Sequence, residues 1–260
     1  MALVAPNVLG LMFFFGLPVL MAFFTAFQRW NALTPAQFIG LENFQRLIDD
    51  ASFHQAFLNT LKLLALVVPA EVVLALIVAA MLNQPLRLRA LFRTVYFLPV
   101  VTSTVAASVV WSSVFQPRYG SLSTFLEPFG LGEVRWLVDP GLVLIPIAVV
   151  AVWQGLGFDM VLFLAGLQAI PLELYEAARI DGANRWQRFR HVTLPLLSPT
   201  TFLVVVLAVI NGFQIFDQVY VMTLRVVPGG VGGSATTLSY YLYRRAFTFS
   251  EYGYASAGAP

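Results

Sequence analysis

What most constrains this chain is the spacing of its apolar runs. Leu3–Phe27, Leu58–Met81, Val95–Phe115, Leu142–Leu167 and Ser198–Met222 are each about as long as a bilayer is thick, and polar stretches separate them. Inside a bilayer no water is available to pair backbone N–H and C=O groups, so a spanning segment has to satisfy them within the chain. Helices do this residue by residue, and the expected fold class is therefore all-α, in a polytopic membrane protein. Composition agrees: 59% of residues are hydrophobic, 11% are charged and the mean hydropathy is +0.79, well above a soluble domain. The first run competes with a signal peptide, but it has no basic leader, is too long and is followed by further spans. A net charge of +2 is too small to imply nucleic acid as a partner. The chain has no cysteine, which excludes disulfides, thiolate metal sites and cysteine nucleophiles.

The polar residues inside the runs are the informative ones. Glu71 lies deep in the second run, where an ionised carboxylate is expensive and normally faces the bundle interior. It reads either as a substrate or proton contact or as a hydrogen-bonded structural residue, and with no acidic neighbour in sequence the structural reading is favoured. Asp159, in the fourth run, is isolated in the same sense. Thr102, Ser103, Thr104, Ser112 and Ser113 in the third run suit close helix packing. In the fifth run Asn211, Gln214 and Gln218 recur at i, i+3, i+7 and would share a face, with Phe213, Phe216 and Tyr220 beside them. Amides and aromatics together suit a sugar, whose hydroxyls need hydrogen bonds and whose ring faces need apolar planes. An interhelical amide network is the alternative. Asp217 fits a gate, a salt bridge or a sugar contact.

Between the fourth and fifth runs lies a polar island, Glu173–Pro195. Pro171 suits a helix start, and Leu174, Ala177 and Ala178 then share a face. Gly182 is the expected left-handed stop, Asn184 with Gln187 looks like a second start close to a capping box, and Leu194-Pro195 ends the unit. Small residues on one face would let another protein approach the backbone closely; an ordinary charged loop is the plainer reading. Arg87, Arg89 and Arg93 before the third run share a side with Arg179, Arg185, Arg188 and Arg190. These two loops are the denser in basic residues and should be cytoplasmic. The other connections, among them Gln28–Ala56, Gln116–Pro140 (with Arg118) and Thr223–Glu251, fall on the opposite side.

No catalytic constellation is present. There is no P-loop, the sole lysine is Lys62, and His54 and His191 lack zinc-site spacing and read as loop residues. No metal site is expected.

Glu176-Ala177-Ala178, Asp181-Gly182-Ala183 and Leu194-Pro195 together resemble the "EAA" loop of permease subunits of binding-protein-dependent ABC importers. Trp153–Phe158, Ala165–Pro171, Phe216–Met222 and Tyr252–Ala257 extend the resemblance over nearly the whole chain. They are similar to the carbohydrate branch, nearest its first permease type, the maltose- and glycerol-phosphate-permease-like one. The resemblance implies an ABC-importer permease fold with five complete spans and the start of a sixth. It divides the chain into a first span at 1–27, a core domain at 28–257 with the coupling loop at 171–195, and a truncated start of the last span at 258–260. It implies that Glu176, Ala177, Ala178, Asp181, Gly182, Ala183, Leu194 and Pro195 couple to ATPases, and that the chain is a transporter subunit rather than an enzyme. ATP and Mg would belong to the partner ATPases, with no cofactor on this chain. The implied partners are a second permease, two cytosolic ABC ATPases, an extracytoplasmic solute-binding protein, a sugar and membrane lipid, in a prokaryotic cytoplasmic membrane. A secondary transporter, which should show inverted repeats and intramembrane ionisable pairs, and a membrane scaffold are the rival readings.

Overall fold

A computed structural model describes residues 4–85, 87–117 and 119–259. Leu3, Arg118 and Pro260, to which the sequence reading gave places, lie outside those residues. The chain packs as two units: residues up to Asn59 together with those from Thr236 onward, and Thr60–Ala235. It is mostly helical, and among the described residues three helices are long and apolar enough to cross a membrane: Ala5–Ala26, Ala51–Leu82 and Leu144–Gln168. Two bent pairs, Arg89–Val101 with Thr104–Val114 and Arg185–Leu196 with Ser198–Phe213, raise the number to as many as five.

The Thr60–Ala235 unit is built around Leu144–Gln168. Half of that helix's most apolar window is buried, against none of the corresponding window in Ala5–Ala26. Its Met160, Phe163, Leu164 and Leu167 pack with Ala75, Ala79, Leu82, Leu197 and Val204. The small residues on Ala51–Leu82 let it pack closely against this core, where shape fit stands in for the hydrophobic drive that lipid does not supply.

Two expected spans are interrupted, and the local chemistry explains both. The third run breaks with a bend of 98°. Pro99 brings no N–H to a tight turn at Leu98–Val101, Thr102 is extended at ψ 147°, and Ser103 caps a fresh helix, its Oγ facing the Ala106 N–H at 3.5 Å. The fifth run stops at Phe213. The Gln214 and Ile215 N–H groups fall back on the carbonyls of Asn211 and Gly212, tightening the last turn, and a separate helix begins at Asp217. Asn211, Gln214 and Gln218 therefore do not follow one helical stripe. Leu194-Pro195 does not end its unit either. Both residues lie inside the helix Arg185–Leu196, where the Leu194 N–H reaches back five residues to Phe189 O, and the chain turns by 66° only before Ser198.

The polar connections hold more structure than expected. Gln28–Ala56 contains a two-stranded antiparallel ladder, Gln28–Arg29 against Gln37–Phe38, and the helix Glu42–Asp49. Gln116–Pro140 contains the helix Ser121–Leu126, and Thr223–Glu251 contains Leu238–Tyr243. His54 and His191 both sit within helical segments rather than loops.

The other unit is tied across the sequence by polar side chains. The Asp50 carboxylate accepts from the Tyr241 hydroxyl at 2.5 Å, the Tyr254 hydroxyl at 2.8 Å and the Arg245 guanidinium at 2.6 Å. Arg245 and Arg46 both reach Glu251, at 3.1 and 2.9 Å. Beneath these groups Ala26, Leu47, Ala56, Tyr241, Tyr254 and Ala257 form a small apolar core.

Candidate functional site

Two features of the Thr60–Ala235 unit carry chemistry: a projecting helical turn and a cavity.

The projection is Leu172–Ile180, a turn at Asp181–Ala183 and the helix from Arg185. Pro171 stands one place earlier than expected, as the flanking residue with ψ 132°, and the helix begins at Leu172. Gly182 has φ +80° with nothing within 4 Å of where a Cβ would stand, so only its backbone conformation selects glycine. Asn184 and Gln187 close a full capping box: Gln187 N–H donates to Asn184 Oδ1 at 2.9 Å, and Asn184 N–H to Gln187 Oε1 at 2.8 Å. A hydrogen bond of 3.0 Å between the Tyr175 hydroxyl and Thr193 Oγ1 staples the two helices together; sequence reasoning missed it, because nothing local relates residues eighteen apart. Glu176, Ala177, Asp181, Gly182, Leu194 and Pro195 are exposed, and Ala178 and Ala183 are half-buried. Large apolar side chains stand out around them, Leu172 at 76% and Ile180 at 86% exposure. The element is capped and stapled, with large apolar side chains exposed at its tip. A shallow depression beside it is lined by Ala178, Gly182, Ala183, Gln187 and His191.

The cavity, of about 380 Å3, is lined by Glu71, Gln154, Asp159, Asn211 and Gln218 together with apolar residues such as Phe158. Of the expected substrate-path residues, Asn211 and Gln218 line it, while Gln214, Phe213 and Tyr220 do not. Tyr220 stacks on Phe216 instead, ring centres 5.5 Å apart. Gln154, which the sequence reading noted within Trp153–Phe158 but gave no role, is the hub. Its Nε2 donates to Thr102 O at 3.2 Å and Thr104 Oγ1 at 2.9 Å, and its Oε1 accepts from Gln218 Nε2 at 3.4 Å. It thereby ties the break of the third run to the restart of the fifth, two irregular backbone segments beside one cavity. Irregular backbone at membrane depth is tolerated where it lines such a space.

The reading of Glu71 and Asp159 as isolated is corrected: they line the same cavity. Both are buried, Glu71 at 7% and Asp159 at 3% exposure. Gly155 makes room for this, because a Cβ there would run into the Glu71 carboxylate. The two acids are 88 positions apart in sequence, counted as 159 − 71, so no local pattern could pair them. No group of three or more metal-ligating side chains occurs among the described residues.

Residues 71–239 match the family described as "Binding-protein-dependent transport system inner membrane component". The chain is similar to the "Probable ABC transporter permease protein YurN" of Bacillus subtilis (strain 168), with 35% identity over 97% of this chain and 86% of that one. It is also similar to the "Lactose transport system permease protein LacF" of Rhizobium radiobacter, with 40% identity over 85% of this chain and 74% of that one. Among solved structures it resembles a chain of a bacterial ABC transporter involved in the import of the acidic polysaccharide alginate. There the TM-score is 0.81 and the identity 26%, covering 99% of this chain and 87% of that one.

Proposed function

This chain belongs to the family of binding-protein-dependent transport system inner membrane components, and from that premise we propose how it moves a sugar. It is a transmembrane subunit of a sugar ABC importer, not an enzyme. A solute-binding protein delivers a mono- or oligosaccharide to the outer face of the assembled importer. Two cytosolic ATPases, which hold ATP and Mg, seat the projecting turn Glu173–Pro195, with Glu176, Ala177, Ala178, Asp181, Gly182 and Ala183 at the contact and Leu194 and Pro195 in the stem behind it. A second permease completes the pathway. The chain crosses a prokaryotic inner membrane up to five times, the bends lying within the third crossing and just before the fifth. Closure of the ATPases moves the braced turn, and the helices rooted behind it change which side of the membrane the cavity faces. Asn211, Gln218 and Gln154 supply amide donors and acceptors for sugar hydroxyls.

The observation that carries this reading is the projection itself: a capped, stapled and exposed element in which small residues flank a left-handed glycine. The test is reconstitution with both permeases, the ATPases and the binding protein in liposomes. Gly182→Val forces a branched residue into a left-handed turn, at a cost of roughly 1–2 kcal/mol. With Glu176→Lys as a second variant, both are expected to assemble yet lose at least about tenfold of uptake per ATP hydrolysed. Full coupling in both would refute the docking role. For the cavity, Asn211→Ala and Gln218→Ala should each weaken apparent sugar affinity about tenfold, an unmade buried hydrogen bond being worth about 1–3 kcal/mol. Loss of assembly with unchanged sugar dependence would make these amides structural.

A further inference from the structure

The cavity contains more acid than a sugar path needs. Glu71 and Asp159 are both more than nine-tenths buried, both line it, and no basic side chain does. One of the Asp159 oxygens, Oδ2, is buried and has no hydrogen-bond partner. Buried polar atoms are almost always paired, and a carboxyl oxygen left without a donor is costly. An intramembrane acid facing a cavity is by default a functional group. The rest of the lining is amide and apolar, from Gln154, Asn211, Gln218 and Phe158 among others. The space therefore offers carboxyl oxygens seeking a donor, and no cation to balance an incoming anion.

We propose that Glu71 and Asp159 form a charge filter in the permeation cavity, which admits uncharged or amine-bearing glycosides and rejects anionic ones such as uronates and sugar phosphates. This rests on the reading of the cavity as the sugar path. A hydroxyl or ammonium of the passing sugar donates to the carboxyl groups of Glu71 and Asp159, which line the cavity. A carboxylate or phosphate instead meets two carboxyl groups and no basic side chain, so nothing there replaces the water or counter-ions it leaves behind. Selection by charge is thereby placed in the membrane subunit, in addition to whatever the binding protein selects. The transporter whose chain it resembles in fold imports an acidic polysaccharide, so the filter has to rest on these side chains rather than on the fold.

The experiment uses the assembled importer, both permeases with their ATPases, in lipid nanodiscs and without the binding protein, so that the cavity's own preference is read. Calorimetric titration with three disaccharides of similar size supplies the probes: lactose, the amine-bearing glucosamine disaccharide and digalacturonate. Lactose and the diamine are expected to bind at least tenfold more tightly than digalacturonate. Asp159→Asn and Glu71→Gln, each shown by size-exclusion chromatography to assemble, should narrow that gap several-fold by admitting the acid. Equal binding of all three to the wild type overturns the filter and leaves the sugar path standing. An unchanged gap in both variants assigns the discrimination elsewhere and also overturns it. No binding of any disaccharide to the wild type removes the sugar-path reading, and the filter with it.

Discussion

At the scale of single residues, Asp50 shows how one side chain holds distant segments together. Burial alone would raise its carboxyl, but the hydroxyls of Tyr241 and Tyr254, the Ser52 N–H and the Arg245 guanidinium outweigh it and hold the group well below the usual carboxylate range. A carboxylate with a lowered native pKa stabilises the fold fully above its unfolded value, near 4, and loses that contribution as pH falls toward the native one. Asp50→Asn should therefore cost about 2 kcal/mol near neutral pH, as expected for a hydrogen-bonded charged group. Thermal unfolding in detergent should show a gap between wild type and variant that is flat from pH 8 to about pH 5 and narrows below about pH 4. A gap that widens on acidification would contradict this. Residues differ in how readily sequence reveals them. Gly182 was legible because a left-handed turn after a helix is a local demand. The meeting of Glu71 and Asp159, and of Asp50 with Tyr241 and Tyr254, was not, since sequence spacing carries no record of which helices lie side by side.

At the scale of elements, the local signals decided where helices begin and the tertiary setting decided how they continue. Asn184 and Gln187 announced a cap, and the structure completes it in both directions. Asn184→Ala should cost about 1 kcal/mol of local stability. Hydrogen exchange in nanodiscs should then show about fivefold faster exchange at the Gln187 amide, with protection in Leu144–Gln168 unchanged. Unaltered exchange at Gln187 would mean that the Tyr175–Thr193 staple alone holds the turn. Hydropathy read the third and fifth runs as continuous, because averaging over a window hides a single break. Pro99 and the Thr102-Ser103 pair end one helix and start another, and Gln154 secures that bend from Leu144–Gln168. At the end of the fifth run the tightened turn after Asn211 aims Gln218 at the cavity and leaves Gln214 outside it.

At the scale of the whole molecule, the distribution of arginine predicts orientation, and the chain's lack of cysteine makes the test clean. Ile180→Cys, on the 86% exposed tip of the projection, should react with a membrane-impermeant maleimide only from the cytoplasmic side, and Tyr119→Cys, 90% exposed, only from the other. The reverse pattern would invert the topology. By itself the sequence determined the membrane class, the apolar runs and the capped turn between the fourth and fifth of them, because run length, hydropathy and capping chemistry are properties of contiguous residues. Only the tertiary structure decided which polar groups share the cavity. That depends on two helix breaks, on the close approach permitted at Gly155, and on packing between segments far apart in the chain.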